Sequence, residues 1–178
     1  DKEITRIEQI KGMKLAAGSK LDNDILALLG AAPQSAEPPD LYQGISRGLY
    51  EGALIQWSAF LTFKLGEVTK YHYDLPLGVA AAYVVMNKNS FDKLPPESKA
   101  VLEKHSGEAF ARRMGDAINR QDAFAREGAK KIGGHVFHSI SAEDRKTWPQ
   151  KLQPIIDQWV RSTPNGGAVL AGLRQELK

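Results

Sequence analysis

Short strand and helix signals alternate along the first half of the chain, and this alternation limits the possible folds more than any other feature. Between residues 5 and 88, brief apolar runs are separated by helical stretches, two of which end at Gly30 and Gly48. Glycine is the usual residue where a helix ends in left-handed backbone. Strands that alternate with helices predict α/β layering with parallel strand pairing. The chain is therefore expected to belong to the α/β class.

Apolar periodicity and the positions of glycine and proline predict the individual elements of this first half. The expected strands and extended stretches are Met13–Ala16, Pro33–Ala36, Ala53–Ile55, 67–75 and 79–88. The expected helices are Leu21–Leu29, Pro39–Arg47 and Ser58–Leu65.

From residue 90 onward the pattern is almost entirely helical. The pair Pro95-Pro96 opens a stretch with apolar residues at three- and four-residue steps, which ends at the pair Gly133-Gly134. A single helix of around thirty residues would be ~45 Å long at 1.5 Å per residue. Because this exceeds one small lobe, we expect the helix to bridge two lobes. A short strand at 135–140 and two closing helices follow.

The composition excludes several classes of protein. The 178 residues include 24 basic and 21 acidic side chains, and the net charge of +3 is spread along the chain, so no nucleic-acid-binding face is predicted. Without cysteine there is no disulfide framework, no thiolate metal site and no cysteine nucleophile. The longest apolar run, Leu77–Met86, is about half the ~20 residues that a membrane-spanning helix needs. The first residues lack an initiator Met and an apolar signal region, which indicates a mature or excised chain.

Candidate chemistry is sparse. His135 and His138 are three residues apart, so on a strand they would face opposite sides and would not form a metal pair. His72 stands among tyrosines, but no nucleophile lies in a recognisable elbow, and a hydrogen-bonded structural histidine is the preferred interpretation. The glycines lack the spacing of a phosphate-binding loop. No catalytic residue, metal ligand or cofactor is therefore predicted, and an enzyme is the least supported alternative.

Several short phrases, in order, resemble one protein family. They are "IKGMKL", "LLGAAPQSAEPPDLYQGISRGLYEGALIQW", "KLGEVTKYH" and "YVVMNKNSFDKLPPESKAVLE", and they lie between Ile10 and Glu103. These phrases are similar to the carboxyl-terminal half of the DctP-type periplasmic solute receptors of tripartite ATP-independent (TRAP) transporters. The long helix and the closing helices match the continuation of that half.

The resemblance implies a periplasmic binding protein-like, type II-like fold, in which two α/β lobes close on a small organic acid. Residues 1–78 and 122–178 would form most of lobe two, and residues 79–121 would return to lobe one, whose remaining part is absent here. The closed receptor would lie in the periplasm and dock on a membrane permease. No cofactor is implied.

The resemblance also implies a binding site, with one departure from the family. Two residues past Lys14, where the family usually has an arginine that clamps the carboxylate of the ligand, this chain has Ala16. Either the solute is less acidic and more apolar, or another cation supplies the clamp. Leu54 and Ile55 should point to opposite faces, so only one can reach the cleft. The expected ligand-binding residues are Ala16, Ala17, Glu37, Pro38, Ile55, Gln56 and Trp57.

Two structural alternatives accompany these residues: Ala16 would be only close packing, and Trp57 would be part of the core. At the level of function, the alternative is a receptor-like interaction or sensor module that has lost ligand binding. We also expect the apolar segment 79–121 to mediate self-association when it lacks its lobe-one partners.

Overall fold

The structure is a computed structural model that describes residues 2–77 and 82–177. The strands are β1 (Lys14–Ala17), β2 (Ala32–Ser35), β3 (Gly52–Ala53), β4 (Tyr71–Asp74) and β5 (Val136–Ser139). The α-helices are α1 (Lys20–Leu28), α2 (Leu41–Ser46), α3 (Trp57–Thr62), α4 (Lys88–Asp92), α5 (Pro96–His105), α6 (Gly107–Lys131), α7 (Ala142–Ser162) and α8 (Gly166–Glu176). Short 3-10 helices occupy Ile7–Ile10, Pro38–Asp40 and Leu65–Glu67.

The strands form two parallel sheets. In the first sheet β1 lies between β2 and β3, with Ala16 opposite Gln34 on one side and Ala53 on the other. In the second sheet β4 pairs with β5, and His72 lies opposite Phe137. Parallel strands need crossover connections, which the intervening helices supply. The predicted α/β layering is confirmed.

Local sequence signals define where several of the helices begin and end. The hydroxyl of Ser19 accepts a hydrogen bond from the amide of Asp22 and caps α1, and Ser141 caps α7 in the same way. Gly30 and Gly48 have φ values of +85° and +70° just after α1 and α2, which confirms them as left-handed helix ends.

The prediction of a single bridging helix between residues 95 and 133 is wrong in one respect. The structure divides this stretch into two helices, α5 and α6. The break lies at Gly107, whose φ of +62° is left-handed and cannot continue a right-handed helix. Helix α6 alone has 25 residues and is about 37 Å long. Of the extended stretch predicted at 79–88, residues 79–81 lie outside the described part of the chain. Residues 82–87 do not form a β-strand.

The core consists of two clusters on opposite faces of β1, as the alternation of side chains along a strand requires. The first cluster contains Leu15 and Ala17 with Ile7, Ile10, Met13, Leu26, Ile140 and Trp148. The second cluster contains Ala16 with Leu41, Phe60, Leu65 and Ala129. Among the described helices, none is both long and apolar enough to cross a membrane.

Small residues let α6 pack closely against α3 and the sheet. Ala125 and Ala129 of α6 are buried. A Cβ atom built on Gly128 would lie 3.0 Å from Cδ1 of Leu61 on α3, which is tighter than ordinary van der Waals contact. The small residues on this face of α6 therefore allow a short distance between that helix and α3.

A pair of histidines joins the two strands of the second sheet. Nε2 of His72 and Nδ1 of His135 are 2.8 Å apart, and the rings are stacked with centroids 5.1 Å apart. Burial, together with the neighbouring His135, lowers the pKa of His72 to about 4. The hydrogen bond predicted for His72 is present in the structure.

Gly128→Leu should separate α6 from α3, because the new side chain has no space beside Leu61. We expect a loss of about 1–3 kcal/mol in the free energy of unfolding, the usual cost of overpacking. Gly115→Leu on the same helix is the matched control, since a Cβ there meets nothing within 4 Å. Urea unfolding followed by circular dichroism would measure both. Equal stability of the two variants would contradict the packing described.

The His72 pair predicts a pH dependence of stability. Because the pKa of His72 is lower in the folded chain than the ordinary value of 6.5, its contribution is complete above pH 6.5 and is lost as the pH falls towards 4. We expect the wild-type chain to lose on the order of 1–2 kcal/mol more than His72→Phe over this range, a value reduced for partial solvent screening. The control is His105→Phe on α5, whose histidine is exposed. Parallel curves of unfolding free energy against pH for wild type and His72→Phe would contradict the prediction.

Candidate functional site

The carboxyl ends of the parallel strands form the candidate site, because open α/β sheets bind ligands outside this edge. The strands β1, β2 and β3 run in the same direction, so the residues that follow them meet at one side of the sheet. The indole Nε1 of Trp57 donates a hydrogen bond to Oδ1 of Asp74 at 3.3 Å. This bond connects the segment after β3 with the last residue of β4.

Two of the predicted site residues, Ala16 and Ala17, are closed off from solvent. Their exposed fractions are 0% and 1%, and their side chains enter the two different core clusters. On the Ala16 face of β1 the buried cluster also contains Ala129 of α6. Both methyl groups are enclosed by protein in this structure, which favours the close-packing alternative for Ala16, and contact of Ala16 or Ala17 with a solute stays a prediction.

The other predicted residues lie at or near the surface of the edge. Leu54 packs against the first cluster and Ile55 against the second, which confirms that they point to opposite faces. Gln56 is exposed and directly precedes α3, and exposed Glu37 precedes half-buried Pro38. The structure thus places these residues in the loops after β2 and β3. Their contact with a ligand stays a prediction.

Trp57 is half-buried and begins a group of aromatic rings. The centroid of its ring system lies 5.8 Å from that of Phe60 and 5.9 Å from those of His72 and Phe137. The ring therefore packs against the second cluster, as the structural alternative proposed, and the residue stays partly exposed.

Sequence reasoning missed Arg126, a cation that lies next to this aromatic group. Its Nε donates to Asp122 at 2.9 Å, its Nη1 donates to Asp74, and its guanidinium carbon lies 5.4 Å from the ring centroid of Trp57. Burial alone would lower the pKa of Arg126, but the hydrogen bonds to Asp122 and Asp74 outweigh it and raise the pKa above the ordinary value. The guanidinium is therefore charged. The spacing from Asp122 to Arg126 is typical of a helical ion pair, whereas nothing in the sequence connects Arg126 with Asp74.

The remaining histidines are held apart. His135 pairs with His72, while Nε2 of His138 lies 2.7 Å from Oε1 of Glu3. His135 and His138 thus have different partners, in agreement with opposite faces of the strand. Among the residues that the structure describes, no group of three or more histidines or carboxylates is placed to hold a metal ion.

Two shallow depressions on the surface lie elsewhere. One is lined by Ile7, Glu8, Leu28, Leu29 and Lys151, and the other by Tyr42, Thr62, Phe63, Lys64 and Glu67. Neither includes a residue that directly follows a strand. We favour the strand edge over these depressions because it combines a half-buried aromatic ring, Trp57, with charged hydrogen-bond donors and acceptors.

Comparison with curated proteins gives relatives that are named as solute-binding proteins. The chain is 29% identical over 156 residues to the C4-dicarboxylate-binding periplasmic protein DctP of Rhodobacter capsulatus, covering 87% of this chain and 46% of that protein. It is 31% identical over 144 residues to a solute-binding protein of Albidiferax ferrireducens, covering 74% of this chain and 41% of that protein. The chain thus spans less than half the length of these two relatives.

Comparison with solved structures gives the same kind of protein. A TRAP periplasmic solute-binding protein of Bordetella bronchiseptica with bound mandelate superposes with a TM-score of 0.83 at 22% identity, over 99% of this chain and 58% of that one. A TRAP solute-binding protein of Rhodoferax ferrireducens in complex with benzoate gives a TM-score of 0.85 at 25% identity, over 96% and 56%. The predicted periplasmic binding protein-like fold is confirmed.

The family described as bacterial extracellular solute-binding protein, family 7, the DctP family, matches residues 1–163 of the 178 in this sequence. The predicted resemblance to TRAP solute receptors is confirmed by this match together with the relatives and the structures. The chain belongs to the DctP family of bacterial extracellular solute-binding proteins.

Proposed function

We propose that this chain forms the larger part of one lobe of an extracytoplasmic TRAP solute receptor that binds a small organic acid. The observation that carries the proposal is the family match over residues 1–163. The ligands named for its relatives support an organic acid: a C4-dicarboxylate, mandelate and benzoate. The receptor binds its solute without chemistry and delivers it in the periplasm to a membrane permease.

The solute has an aromatic or otherwise apolar body. Trp57 presents part of its ring system at the carboxyl edge of the strands, backed by the rings of Phe60 and Phe137. Aromatic side chains in such a position bind planar apolar groups by stacking and by burial of apolar surface. Ile55 extends this apolar surface from the loop after β3.

The division of the chain between two lobes follows its pattern of burial. Residues 1–78 and 122–178 belong to lobe two, and residues 79–121 reach into lobe one. In support, helix α6 is buried at Ala125 and Ala129, whereas its first half and α5 have no buried residue within the described part. Exposed apolar side chains from Tyr83 to Met86 have exposed fractions of 51–87%. Surface of this kind marks a site of contact with another part of a protein.

The isolated residues 1–178 should self-associate through 79–121 and bind organic acids weakly. One lobe cannot enclose the 70–90% of a ligand surface that binding sites usually bury, and the apolar segment lacks a partner. Light scattering over a dilution series and calorimetry with benzoate would test both statements. Val85→Lys should reduce the association, whereas Leu49→Lys, at an exposed leucine outside the segment, should not. A stable monomer that binds benzoate or mandelate with micromolar affinity would contradict this division of the site.

A further inference from the structure

The guanidinium of Arg126 has hydrogen-bond donors that its two aspartate partners do not use. The hydrogen bonds of its guanidinium to Asp122 and Asp74 use Nε and Nη1, while Nη2 makes no hydrogen bond with any described residue. The side chain keeps 40% of its surface exposed. A guanidinium is a planar fork of five N–H donors that matches a carboxylate in a bidentate geometry. Arg126 is therefore a charged residue beside the strand ends whose Nη2 can still donate hydrogen bonds.

The position of this guanidinium is fixed from three sides. Asp122 lies one helical turn earlier on α6, Asp74 ends β4, and the ring of Trp57 lies 5.4 Å from the guanidinium carbon. Holding a long side chain in one conformation before the ligand arrives removes part of the entropy cost of binding. The same contacts place the free nitrogen next to the aromatic surface at the carboxyl edge.

Other cations near this edge are scarce among the described residues. The segments that follow the strands, at 18–20, 36–38, 54–57, 75–77 and 140–141, contain one basic residue, Lys20. Its Nζ pairs with Oδ2 of Asp24 at 2.5 Å on the surface of α1. The position on β1 from which a cation could reach the edge is occupied by buried Ala16. Because these segments offer no unpaired cation, a positive charge for an acid at this edge would come from a neighbouring element, and Arg126 on α6 is a candidate.

We infer, on the basis of the proposed function, that Arg126 is the specificity residue of this lobe and holds the acid group of the solute while the apolar body lies against Trp57. In this site the positive charge comes from a side chain of α6. In a site built on β1 the charge would come from a residue of the strand itself. The solute is an acid whose carboxylate lies close to an aromatic or aliphatic body.

The two aspartates have opposing effects in this arrangement. They orient Arg126, but with one positive and two negative charges the group has a net charge of −1, which weakens the attraction for a further carboxylate. Replacing Asp74 by asparagine removes one negative charge and one of its two acceptor oxygens. The remaining oxygen can still accept the hydrogen bond from Nε1 of Trp57, and the second carboxylate, Asp122, is left to orient the guanidinium. If Arg126 contacts the solute, Asp74→Asn should bind acids as tightly as the wild type or more tightly.

The test uses the protein purified from its complete coding sequence, with benzoate, mandelate and succinate as probes and the corresponding amides as uncharged analogues. Titration calorimetry of Arg126→Gln should show at least a tenfold loss of affinity for the acid that binds best and less than a threefold change for its amide. Asp74→Asn should retain or increase the affinity for the acid. Arg112→Gln is the matched control, since Arg112 lies on α6 and pairs only with Glu108 among the described side chains.

Three outcomes would overturn the inference. If Arg126→Gln binds the acid as Arg112→Gln does, the acid group is held elsewhere. If Arg126→Gln and Asp74→Asn weaken acid and amide binding equally and lower the melting temperature alike, Arg126 is only a structural link between α6 and β4. If the wild-type protein binds none of the three acids, the proposed function fails as well, which separates this result from the first two.

Discussion

The close packing of α6 against α3 is the constraint on which the rest of the structure depends. It requires small residues on α6: a Cβ on Gly128 would lie 3.0 Å from Cδ1 of Leu61 on α3, and Ala125 and Ala129 are buried. A larger residue at any of these positions would push the helix away, because protein interiors tolerate little added volume. The contact also determines the position of Arg126, which lies in the same turn of α6. Arg126 reaches Asp74 and Trp57 because the helix lies this close.

The same contact explains the composition of the candidate site. Ala16 of β1 is buried in the same cluster as Ala129 of α6, so it contributes packing and no charge. In the proposed site the charge comes from α6 instead, through the long side chain of Arg126. The proposed site is thus assembled from the segment after β3, the end of β4 and the carboxyl-terminal part of α6. Each segment supplies one property: an aromatic surface, an orienting carboxylate or a cation.

Much of the fold could be predicted from the sequence because its signals are local. Strand and helix alternation gave the α/β class, and Gly30 and Gly48 correctly marked two helix ends. The break at Gly107 was missed, because the apolar stripe continues across it and a glycine inside a helical pattern does not by itself reveal its φ angle. For Ala16 the sequence left two interpretations open, ligand contact and close packing, because no local pattern reports which distant residues, such as Phe60 and Ala129, share its cluster.

The indole proton of Trp57 offers the most direct test that the solute binds at this edge. In the protein from the complete coding sequence, titration with the best-binding organic acid can be followed by the ¹⁵N–¹H resonances of the tryptophan side chains, assigned with Trp57→Phe and Trp159→Phe. The account predicts that the Trp57 resonance shifts in proportion to the bound fraction. The reason is that Nε1 of Trp57 donates a hydrogen bond to Asp74, which also accepts one from Arg126. The resonance of Trp159, which lies on α7, should stay unchanged. Saturable binding that leaves the Trp57 resonance in place would contradict the account.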